Sequence, residues 1–371
     1  FFFPRHLPPT QLARCPQWHK HCREMKDTIE ALVQRQDLTL DQSAAAAEAI
    51  IAGADPCQAA ALLVLLRSKG ETPAEVAGMV RTMRRHMLTV SPARPCIDIV
   101  GTGGDGHHTV NISTAASVVA AACGAAVAKH GNRSVSSKCG SADVLEEVGV
   151  SLALPPSGIE ACIAQAGIAF MFAPGFHPAM KNIVPVRKAL GVRTVFNILG
   201  PLINPAACTR GVIGVYAPSL VALVAEALHA LGAELIMVVH CCGLDELAPI
   251  GEASVATVTP AGVEYSTLDC TRVGFAACSI DDLKGGDCAE NAAALRKVLS
   301  GKLPGPIADT VALNAGAGLY VAGVAPTLQA GCKLASEAIA AGSPISTLDK
   351  WVQCSQAAAA AAAVASDQAA S

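Results

Sequence analysis

The sequence predicts an α/β protein: a small all-helical domain plus a large α/β domain with a mostly parallel central sheet. The first observation is that residues 25–87 show only helix-type patterning, punctuated by capping residues, prolines and glycines. The second is that short apolar runs alternate with helical stretches after Pro92. Such alternation is typical of a largely parallel sheet covered by helices. The chain has 371 residues and is 52% hydrophobic, which is enough to bury a substantial core.

Capping residues set the helix boundaries of the first region. Residues 39–42 read Thr-Leu-Asp-Gln, a capping box that precedes an alanine-rich helix ended by Gly53. Two further helices are predicted at Asp55-Pro56 and Thr72-Pro73, where a capping side chain precedes a proline at the first helical position. The sequence therefore predicts a set of short helices before residue 88.

Five apolar runs predict the parallel strands of the α/β domain, at residues 97–100, 125–129, 168–172, 211–216 and 235–240. Residues 254–268 alternate like an antiparallel hairpin with its turn at Ala261-Gly262. Helices are predicted to begin near Ser113, Ser141, Ser157, Ser219 and Ala289, with Glu160 completing a capping box at Ser157. A further helical stretch at residues 178–202 interrupts the alternation, and we expect it to return to the first helical region.

These patterns divide the chain into four regions. The predicted bounds are 1–23 for an N-terminal extension, 24–93 for the helical domain joined by about 175–205, 94–174 and 206–355 for the α/β domain, and 356–371 for an Ala-rich tail. The extension has no acidic residue before Glu24, so it is either the remnant of an organelle transit peptide or a trimmed or disordered segment. The tail has low complexity, so we expect it to be dispensable.

Composition argues against several classes of protein. The net charge of −3 and the aromatic content of 4% disfavour partners such as nucleic acid or a membrane. No apolar run approaches the ~20 residues that span a bilayer, so we expect a soluble protein of the cytoplasm or the plastid stroma. The 15 cysteines are scattered without a C-x-x-C pair, which favours free thiols. Cys15 and Cys22 flank two histidines, but their spacing fits no common zinc finger.

A glycine-rich loop follows the first predicted strand. Residues 101–106 read GTGGDG, and NIST follows at 111–114, where the next helix is predicted. Glycine lets backbone N–H groups approach an anion closely, and a helix N-terminus adds a favourable dipole. Asn111, Ser113 and Thr114 can either cap that helix or point at ligand oxygens. The loop therefore predicts an anion site at the carboxyl end of a strand.

The same loop matches the G-x-G-x-x-G pattern of dinucleotide-binding folds, but two features disfavour a nicotinamide cofactor. The helix is predicted to start after the glycines rather than within them. Lys129-His130 stand where a ribose-binding acid is expected, and no acidic residue occurs between Asp105 and Asp143. No Gly-Lys-Ser/Thr follows the glycines, which also excludes a Walker loop.

A second polar loop runs from Lys129 to Gly149 and again separates a predicted strand from a helix. It supplies the cations Lys129, Arg133 and Lys138 together with several short polar side chains. Two such loops at neighbouring strand ends suit a ligand that bears several phosphate charges.

A third polar element, Gly243-Leu-Asp245-Glu246, follows the predicted strand that ends at His240. Adjacent carboxylates at a strand end are most often exposed to solvent. Beside a polyphosphate, however, they could hold Mg²⁺, which takes one or two carboxylates and keeps waters or phosphate oxygens as further ligands.

In this order the elements resemble the anthranilate phosphoribosyltransferase family. The matching segments are DIVGTGGDG (98–106), NIST (111–114), KHGNRSVSSKCGSADVLEEVGV (129–150), HPAMKNIVPVRKALGVRTVFNILGPLINP (177–205) and GLDE (243–246), within about residues 25–354. The resemblance implies transfer of the phosphoribosyl group from 5-phosphoribosyl 1-diphosphate (PRPP) to the amine of anthranilate, the second step of tryptophan biosynthesis. It also implies a fold like that of nucleoside phosphorylases and phosphoribosyltransferases, a homodimer, and PRPP with Mg²⁺ between the two domains.

The resemblance further assigns site residues. For PRPP it implies contacts from Gly101, Gly104, Asp105, Thr109, Asn111, Ile112, Ser113, Thr114, Lys129, His130, Gly131, Asn132, Arg133, Ser134, Val135, Ser136, Ser137 and Ser141. For anthranilate it implies Gly101, Asn132 and Arg187, and for Mg²⁺ it implies Ser113, Asp245 and Glu246. A guanidinium fork at Arg187 would fit the benzoate carboxylate bidentately. No covalent nucleophile is expected.

The chain departs from the family pattern at His107-His108, and Cys241-Cys242 precede the GLDE element. Neither pair supplies an expected ligand. Two alternatives remain open at this point. A pyrimidine nucleoside phosphorylase would resemble this fold but carry a different second loop. A relative that binds nucleic acid would require a basic face and usually a degraded first loop.

Overall fold

The computed structural model describes residues 16–134 and 138–370. Three residues expected to contact PRPP, Val135, Ser136 and Ser137, lie outside the described residues, as do residues 1–15 of the expected extension. The side chains of residues 16–23 also lie outside them, and so do both candidate zinc-binding thiols, those of Cys15 and Cys22.

Helices and strands alternate between residues 97 and 269, and the described elements on either side are helices only. The helices of the described residues are α1 (Pro16–Val33), α2 (Leu40–Ile51), α3 (Pro56–Lys69), α4 (Pro73–Arg85), α5 (Ile112–Ala122), α6 (Ser141–Glu147), α7 (Pro156–Ala166), α8 (Ala173–Phe176), α9 (Val184–Leu190), α10 (Ser219–Ala230), α11 (Cys288–Leu299), α12 (Pro306–Val321), α13 (Leu328–Ala340) and α14 (Pro344–Ala370). The strands are β1 (Ile97–Gly101), β2 (Val127–Gly131), β3 (Ile168–Phe172), β4 (Arg210–Gly214), β5 (Leu235–Cys241), β6 (Glu252–Thr259) and β7 (Gly262–Asp269). Short 3₁₀ segments lie at Pro178–Asn182, Val195–Asn197, Gly200–Leu202, Cys270–Arg272 and Ile280–Leu283.

By its contacts the described chain divides into two units, and the first comprises residues 16–87 together with His177–Leu199. These bounds fall inside the predicted ranges 24–93 and 175–205, apart from residues 16–23. Within this unit Asn182 Nδ2 donates to the carbonyl of Ile51 at 2.7 Å, which ties the later segment to the end of α2. Thr39 with Gln42 and Thr72 with Glu75 form reciprocal capping boxes at the starts of α2 and α4.

The second unit comprises Leu88–Phe176 and residues 200–370 and holds the sheet. Its strands run in the order β3-β2-β1-β4-β5-β6-β7, with β1 to β5 parallel and β6 and β7 antiparallel. The predicted fold class, with its mostly parallel sheet, is confirmed. Strands are added on one side of β1 as far as β3 and on the other side from β4 onward. The direction in which strands are added to the sheet therefore reverses between β1 and β4. Open α/β sheets commonly bind ligands at such a point.

Helices pack closely on this sheet because their contact faces are small or apolar. A Cβ atom added to Gly318 of α12 would lie 2.5 Å from Ile99 Cδ1 on β1. The flanking helix α5 is buried almost throughout its length. This close packing fixes β1 in the core, so the loop that follows it has a rigid base.

Some element boundaries differ from the sequence predictions. The hairpin turn lies at Pro260-Ala261 rather than at Ala261-Gly262, because Thr259 pairs with Gly262 and Pro260 has no N–H to donate to the ladder. The capping box predicted at Ser157 is wrong. The helix α7 begins at Pro156, and Glu160 Oε1 instead accepts a hydrogen bond from the Ser91 N–H at 2.8 Å.

Both ends of the described chain are more ordered than the sequence suggested. Residues 16–23 belong to α1, which corrects their assignment to an extension. Residues 356–370 continue α14, so the start of a separate tail at 356 is wrong as well. Gln356 Nε2 donates to the Gly149 carbonyl at 2.9 Å, and Ala358 packs against the core. Alanine has the highest helix propensity, which explains why an Ala-rich run prolongs the helix.

The described residues bear on two features expected from composition, the length and apolar character of the helices and the state of the cysteines. None of the helices in this part of the chain combines the length and apolar character needed to cross a membrane. The cysteines described there are free thiols.

Candidate active site

The first loop, defined here as residues 102–111, connects β1 to α5. Gly103, Gly104 and Gly106 have φ angles of +67°, +81° and +82°, in the left-handed region that side chains disfavour. The helix α5 begins only at Ile112, so it starts after the glycines, as the sequence predicted. The glycines therefore shape the loop itself and do not form a dinucleotide-type helix start.

Asp245 lies against two glycines that end neighbouring strands. A Cβ atom added to Gly214, the last residue of β4, would lie 1.5 Å from the Asp245 carbonyl oxygen. One added to Gly101, the last residue of β1, would lie 2.2 Å from Asp245 Oδ2. The same Oδ2 accepts a hydrogen bond from the Gly103 N–H at 2.6 Å. The missing side chains at the ends of β1 and β4 thus allow the GLDE element to reach the first loop.

Of the two carboxylate residues of the GLDE element, Asp245 is buried and Glu246 is half-buried, and both lie close to the carboxyl group of Asp105. Burial raises the pKa of Asp245 to about 7, and the negative charge of Asp105 adds to the shift. The pKa of Glu246 lies well above its ordinary value, first because of burial and then because of the charge of Asp245. Glu246 Oε1 accepts a hydrogen bond from the Ser113 N–H at 2.9 Å. A cation bound here would relieve the repulsion between these groups.

Lys129 is a fully buried cation in the same region. Its Nζ donates to the carbonyl of Ile99 at 2.6 Å and to Ser113 Oγ at 3.4 Å. Burial lowers the pKa of Lys129, whereas the charges of neighbouring carboxylates, Asp98 foremost, oppose that shift. The two hydrogen bonds fix the ammonium group beside the carboxylates and the start of α5.

The residues expected to hold Mg²⁺ fit such an ion. Asp245 and Glu246 supply hard carboxylate oxygens, and Ser113 is bonded to Glu246 through its N–H group. Among the side chains that the structure describes, no group of three or more His, Cys, Asp or Glu is arranged to hold a metal ion. Mg²⁺ commonly takes one or two carboxylates and completes its shell with waters and phosphate oxygens. The donor set therefore suits Mg²⁺ bound together with a phosphorylated ligand.

The second loop spans residues 132–140, of which the structure describes 132–134 and 138–140, and α6 holds it by hydrogen bonds while bonding to the start of α5. Thr114 Oγ1 donates to Ser141 Oγ at 3.1 Å, across the starts of α5 and α6. Asp143 Oδ2 accepts hydrogen bonds from the N–H groups of Ser134, at 3.0 Å, and Gly140, at 2.9 Å. A Cβ atom on Gly140 would lie 2.3 Å from the Ser134 nitrogen, so glycine is required at this return of the chain.

The charge of Arg133 is already paired with acidic residues, which corrects the expectation that the second loop offers this charge to a ligand. Its guanidinium pairs with Asp143 at 2.9 Å and with Glu146 at 2.7 Å, and it lies 5.5 Å from the centroid of the Phe172 ring. The absence of acids between Asp105 and Asp143 was true of the sequence, but α6 brings its own acids back to the loop. The positive charge of Arg133 is therefore largely balanced within the second loop and α6.

Several other expected PRPP contacts have a side chain or main chain engaged elsewhere. Ile112 is fully buried, so only its main chain is available to a ligand. His130 is also buried, and its Nδ1 lies 3.1 Å from the Gly200 carbonyl oxygen. Thr109 pairs with Lys284 in a β-bridge. Asn132 is exposed, and its Oδ1 accepts a hydrogen bond from the next N–H at 2.8 Å.

Arg187, the expected anthranilate contact, lies on α9 in the first unit. Its guanidinium lies 5.5 Å from the centroid of the Phe196 ring, and burial lowers its pKa. An arginine that is stacked on an aromatic ring keeps its planar fork in a fixed orientation. Its contact with anthranilate stays a prediction.

Two buried residues that no sequence pattern singled out support β2, the strand that leads into the second loop. Asn204 Nδ2 donates to Asp98 Oδ2 at 2.7 Å and to the Ala128 carbonyl at 2.8 Å. Asp98 Oδ2 also accepts the His130 N–H at 3.3 Å, and burial raises the pKa of Asp98 to about 6. The signal was an acid inside an apolar strand segment and an Asn-Pro pair in the GPLINP segment, since polar residues in such places need partners.

The raised pKa of Asp245 predicts a pH-dependent stability of the metal-free protein. In the unfolded chain Asp245 ionises near its ordinary pKa, whereas in the fold it keeps its proton up to about pH 7. Unfolding then releases a proton between these values, so stability falls as pH rises toward 7 and levels off above it. With EDTA present, the stability of Asp245→Asn relative to the unchanged chain should rise by about 2 kcal/mol between pH 5.5 and 7. Urea unfolding at both pH values measures this difference, and parallel stabilities would contradict it.

Comparison with known proteins first identifies the class. The sequence matches the profile of the glycosyl transferase family a/b domain over residues 93–345 and that of the family's helical bundle domain over residues 26–87. These two matches cover the strand-bearing region and the first helices, respectively. A helical bundle followed by an α/β domain with a glycine-rich loop at its switch point defines a glycosyl transferase of this two-domain class.

Individual relatives narrow the class. An anthranilate phosphoribosyltransferase of Haloferax volcanii is 46% identical over 319 residues, which is 86% of this chain and 96% of that protein. One of Mesorhizobium japonicum is 47% identical over 332 residues, which is 89% of this chain and 98% of that protein. The chain belongs to the anthranilate phosphoribosyltransferase family.

Solved structures agree with this assignment. The crystal structure of anthranilate phosphoribosyltransferase from Thermus thermophilus gives a TM-score of 0.84 at 46% identity and covers 89% of this chain and 99% of that chain. The Saccharomyces cerevisiae enzyme in complex with PRPP and Mg gives a TM-score of 0.82 at 26% identity, covering 90% of this chain and 98% of that chain.

Proposed function

We propose that this chain transfers the phosphoribosyl group of PRPP to the amine of anthranilate, giving N-(5-phosphoribosyl)anthranilate and diphosphate in the second step of tryptophan biosynthesis from chorismate. The observation that carries the proposal is the carboxylate pair of buried Asp245 and half-buried Glu246, bonded to the first loop and the start of α5 at the N–H groups of Gly103 and Ser113. Relatives at 46% and 47% identity carry the name of this enzyme, and the yeast structure contains PRPP and Mg.

The diphosphate of PRPP would be bound by main-chain N–H groups of the first loop, by Lys129 and by the second loop, including residues 135–137. Glycine-rich turns present N–H groups to phosphate oxygens without steric hindrance. Lys129 adds a positive charge whose position is fixed by its bonds to Ile99 and Ser113. This arrangement favours the binding of a ligand with several negative charges.

The chemistry is a displacement at the ribose anomeric carbon. The bond from that carbon to the diphosphate oxygen breaks, a bond to the aryl nitrogen forms, and the nitrogen then loses a proton. Mg²⁺, held by Ser113, Asp245 and Glu246, would act as a Lewis acid toward the leaving group. The fixed N–H groups and Lys129 stabilise the negative charge that develops on the diphosphate. An aryl amine is uncharged at neutral pH, so the reaction requires neither a strong base nor a covalent nucleophile.

Arg187 is proposed to bind the anthranilate carboxylate, and its replacement is expected to separate the two substrates. Arg187→Ala should raise the KM for anthranilate about tenfold or more while changing the KM for PRPP much less, because a charge-assisted bidentate contact is lost. Lys188→Ala, which removes the neighbouring charge on α9, is the matched control and should change neither KM. Equal effects of Arg187→Ala on both KM values would contradict its role.

The direct test of the function is to follow the fluorescence of phosphoribosyl anthranilate formed from PRPP and anthranilate, with Mg²⁺ and with EDTA. We expect product only when both substrates and the metal ion are present. Cleavage of thymidine by phosphate, with no turnover of anthranilate, would overturn the proposal in favour of a pyrimidine nucleoside phosphorylase. As part of the same proposal, the enzyme is a homodimer that works in the cytoplasm or the plastid stroma.

A further inference from the structure

We propose that Asn291 is a positioning residue for the PRPP site: it orients Asn111 and, through Asn111, holds the second loop against the first. Asn291 lies in the first turn of α11, and only 4% of it is exposed. The proposal rests on the proposed function, because the two loops that Asn291 joins are those assigned to PRPP.

Three hydrogen bonds form a relay through two side-chain amides. The Gly286 N–H donates to Asn291 Oδ1 at 2.8 Å. Asn291 Nδ2 then donates to Asn111 Oδ1 at 3.1 Å. Asn111 Nδ2 in turn donates to the carbonyl of Cys139 at 3.1 Å. The relay therefore runs from the segment before α11, through the end of the first loop, to the end of the second loop.

The two ends of the relay fix its direction. It begins at the N–H of Gly286, which can only donate, and it ends at the carbonyl of Cys139, which can only accept. Each amide between them must therefore accept through its oxygen and donate through its nitrogen. No reversal of a single amide satisfies both neighbours, so the orientation of Asn111 depends on Asn291.

The same residue also supports the backbone of the first loop. The Val110 N–H donates to the Leu283 carbonyl at 3.0 Å, and the Gly285 N–H donates to the His108 carbonyl at 2.9 Å. Residues 283–286 thus run antiparallel to residues 108–110. A Cβ atom on Gly285 would lie 2.6 Å from Asn291 Oδ1, so Asn291 packs directly against this supporting segment.

Asn111 consequently has a different role from the capping role that its position suggests. It occupies the N-cap position of α5, but its side chain makes no capping hydrogen bond. Its amide is instead used to connect the two loops. Asn291 on α11 therefore determines the distance between the two loops. That distance decides how well a diphosphate can contact both of them.

Asn291→Asp tests this relay with almost no change of side-chain volume. The carboxylate still accepts from Gly286 but has no donor for Asn111. If Asn111 turns to donate to the carboxylate, its own oxygen faces the Cys139 carbonyl, so one contact must break in either case. We expect the KM and the calorimetric Kd for PRPP to rise about tenfold, with the KM for anthranilate changed less than about twofold.

Ser355→Ala is the matched control for the loss of a buried hydrogen bond outside the loops. Ser355 is fully buried in α14, and its Oγ accepts from the Ser151 N–H at 3.0 Å. This variant should lower the Tm but leave the KM for PRPP unchanged at a temperature well below that Tm. A purely structural role for Asn291 would give the same result as this control and would overturn the proposal.

A double-mutant cycle with Asn111→Ala gives a second test, and Asn291→Ala replaces the Asp variant if the buried carboxylate prevents folding. If Asn291 acts through Asn111, the double variant should bind PRPP no more weakly than Asn111→Ala alone. Multiplication of the two single effects would overturn the relay. Failure of the proposed function is distinguishable from either result, because the unchanged chain would then show no turnover of PRPP and anthranilate.

Discussion

Replacing both carboxylates of the GLDE element, Asp245→Asn with Glu246→Gln, is expected to reduce Mg²⁺-dependent turnover by at least about 100-fold while the protein remains folded. The amide oxygens can still accept the hydrogen bonds that Gly103 and Ser113 donate at 2.6 Å and 2.9 Å. The variant loses the negative charge that attracts the metal ion. Above pH 7 it also lacks the cost of a buried charge at position 245, because asparagine does not ionise. Initial rates as a function of Mg²⁺ concentration, together with the Tm, measure both parts of the prediction.

A matched control removes two exposed carboxylates instead. Glu337→Gln with Asp349→Asn changes the net charge by the same amount, but these residues form only surface ion pairs with Lys333 and Arg296. Such pairs contribute little, so the control should keep its activity and its Mg²⁺ dependence. Near-normal turnover by the Asp245 and Glu246 variant would show that the metal ion is held by other residues.

A single added methyl group at Gly214 is expected to have the second largest effect. In Gly214→Ala the new Cβ would overlap the Asp245 carbonyl oxygen, which lies 1.5 Å from its ideal position, so the backbone of the GLDE element must move. A displacement of about 1 Å at a catalytic group can cost about 100-fold in rate. We expect a loss of that size in kcat/KM, accompanied by a lower Tm because of overpacking.

Gly175→Ala adds the same methyl group where nothing lies within 4 Å of it and the backbone angle is ordinary. Its activity and Tm should match those of the unchanged chain. The comparison is informative because both substitutions are Gly→Ala in the same unit. If Gly214→Ala keeps full activity, the close approach of Asp245 to β4 is not needed for the function.

Those parts of the fold that depend on local sequence could be predicted from it. The capping box at Thr39 and the cap before a proline at Thr72 located helix starts, because the interactions involved span only three residues. Apolar runs located the strands because the burial of a strand shows in its own consecutive residues. The glycine loop could be placed between a strand and a helix, and its role as a ligand loop stays a prediction. Predicted helix boundaries were wrong where a contact with a distant residue determined the structure. Glu160, for example, bonds to Ser91 instead of capping its own helix.

Contacts between distant segments could not be predicted, because no spacing in the sequence encodes them. The pairing of Arg133 with Glu146 depends on how tightly the second loop turns back at Gly140. The role of Gly214 depends on the approach of Asp245 from the next strand. The amides of Asn111 and Asn291 meet only after the chain has folded. In each case the sequence showed a polar residue or a glycine but not its partner.

The interleaved order of the two units has a consequence for the biosynthesis of the chain. The first unit needs residues 177–199, which leave the ribosome only after β1, β2 and β3 have been made. Until β4 has been made, one edge of β1 has no partner strand, since Ile97 pairs with Arg210. An unpaired apolar strand edge is prone to aggregate and is a typical substrate for chaperones. A nascent chain that stops short of residue 199 therefore carries two unfinished units rather than one completed domain.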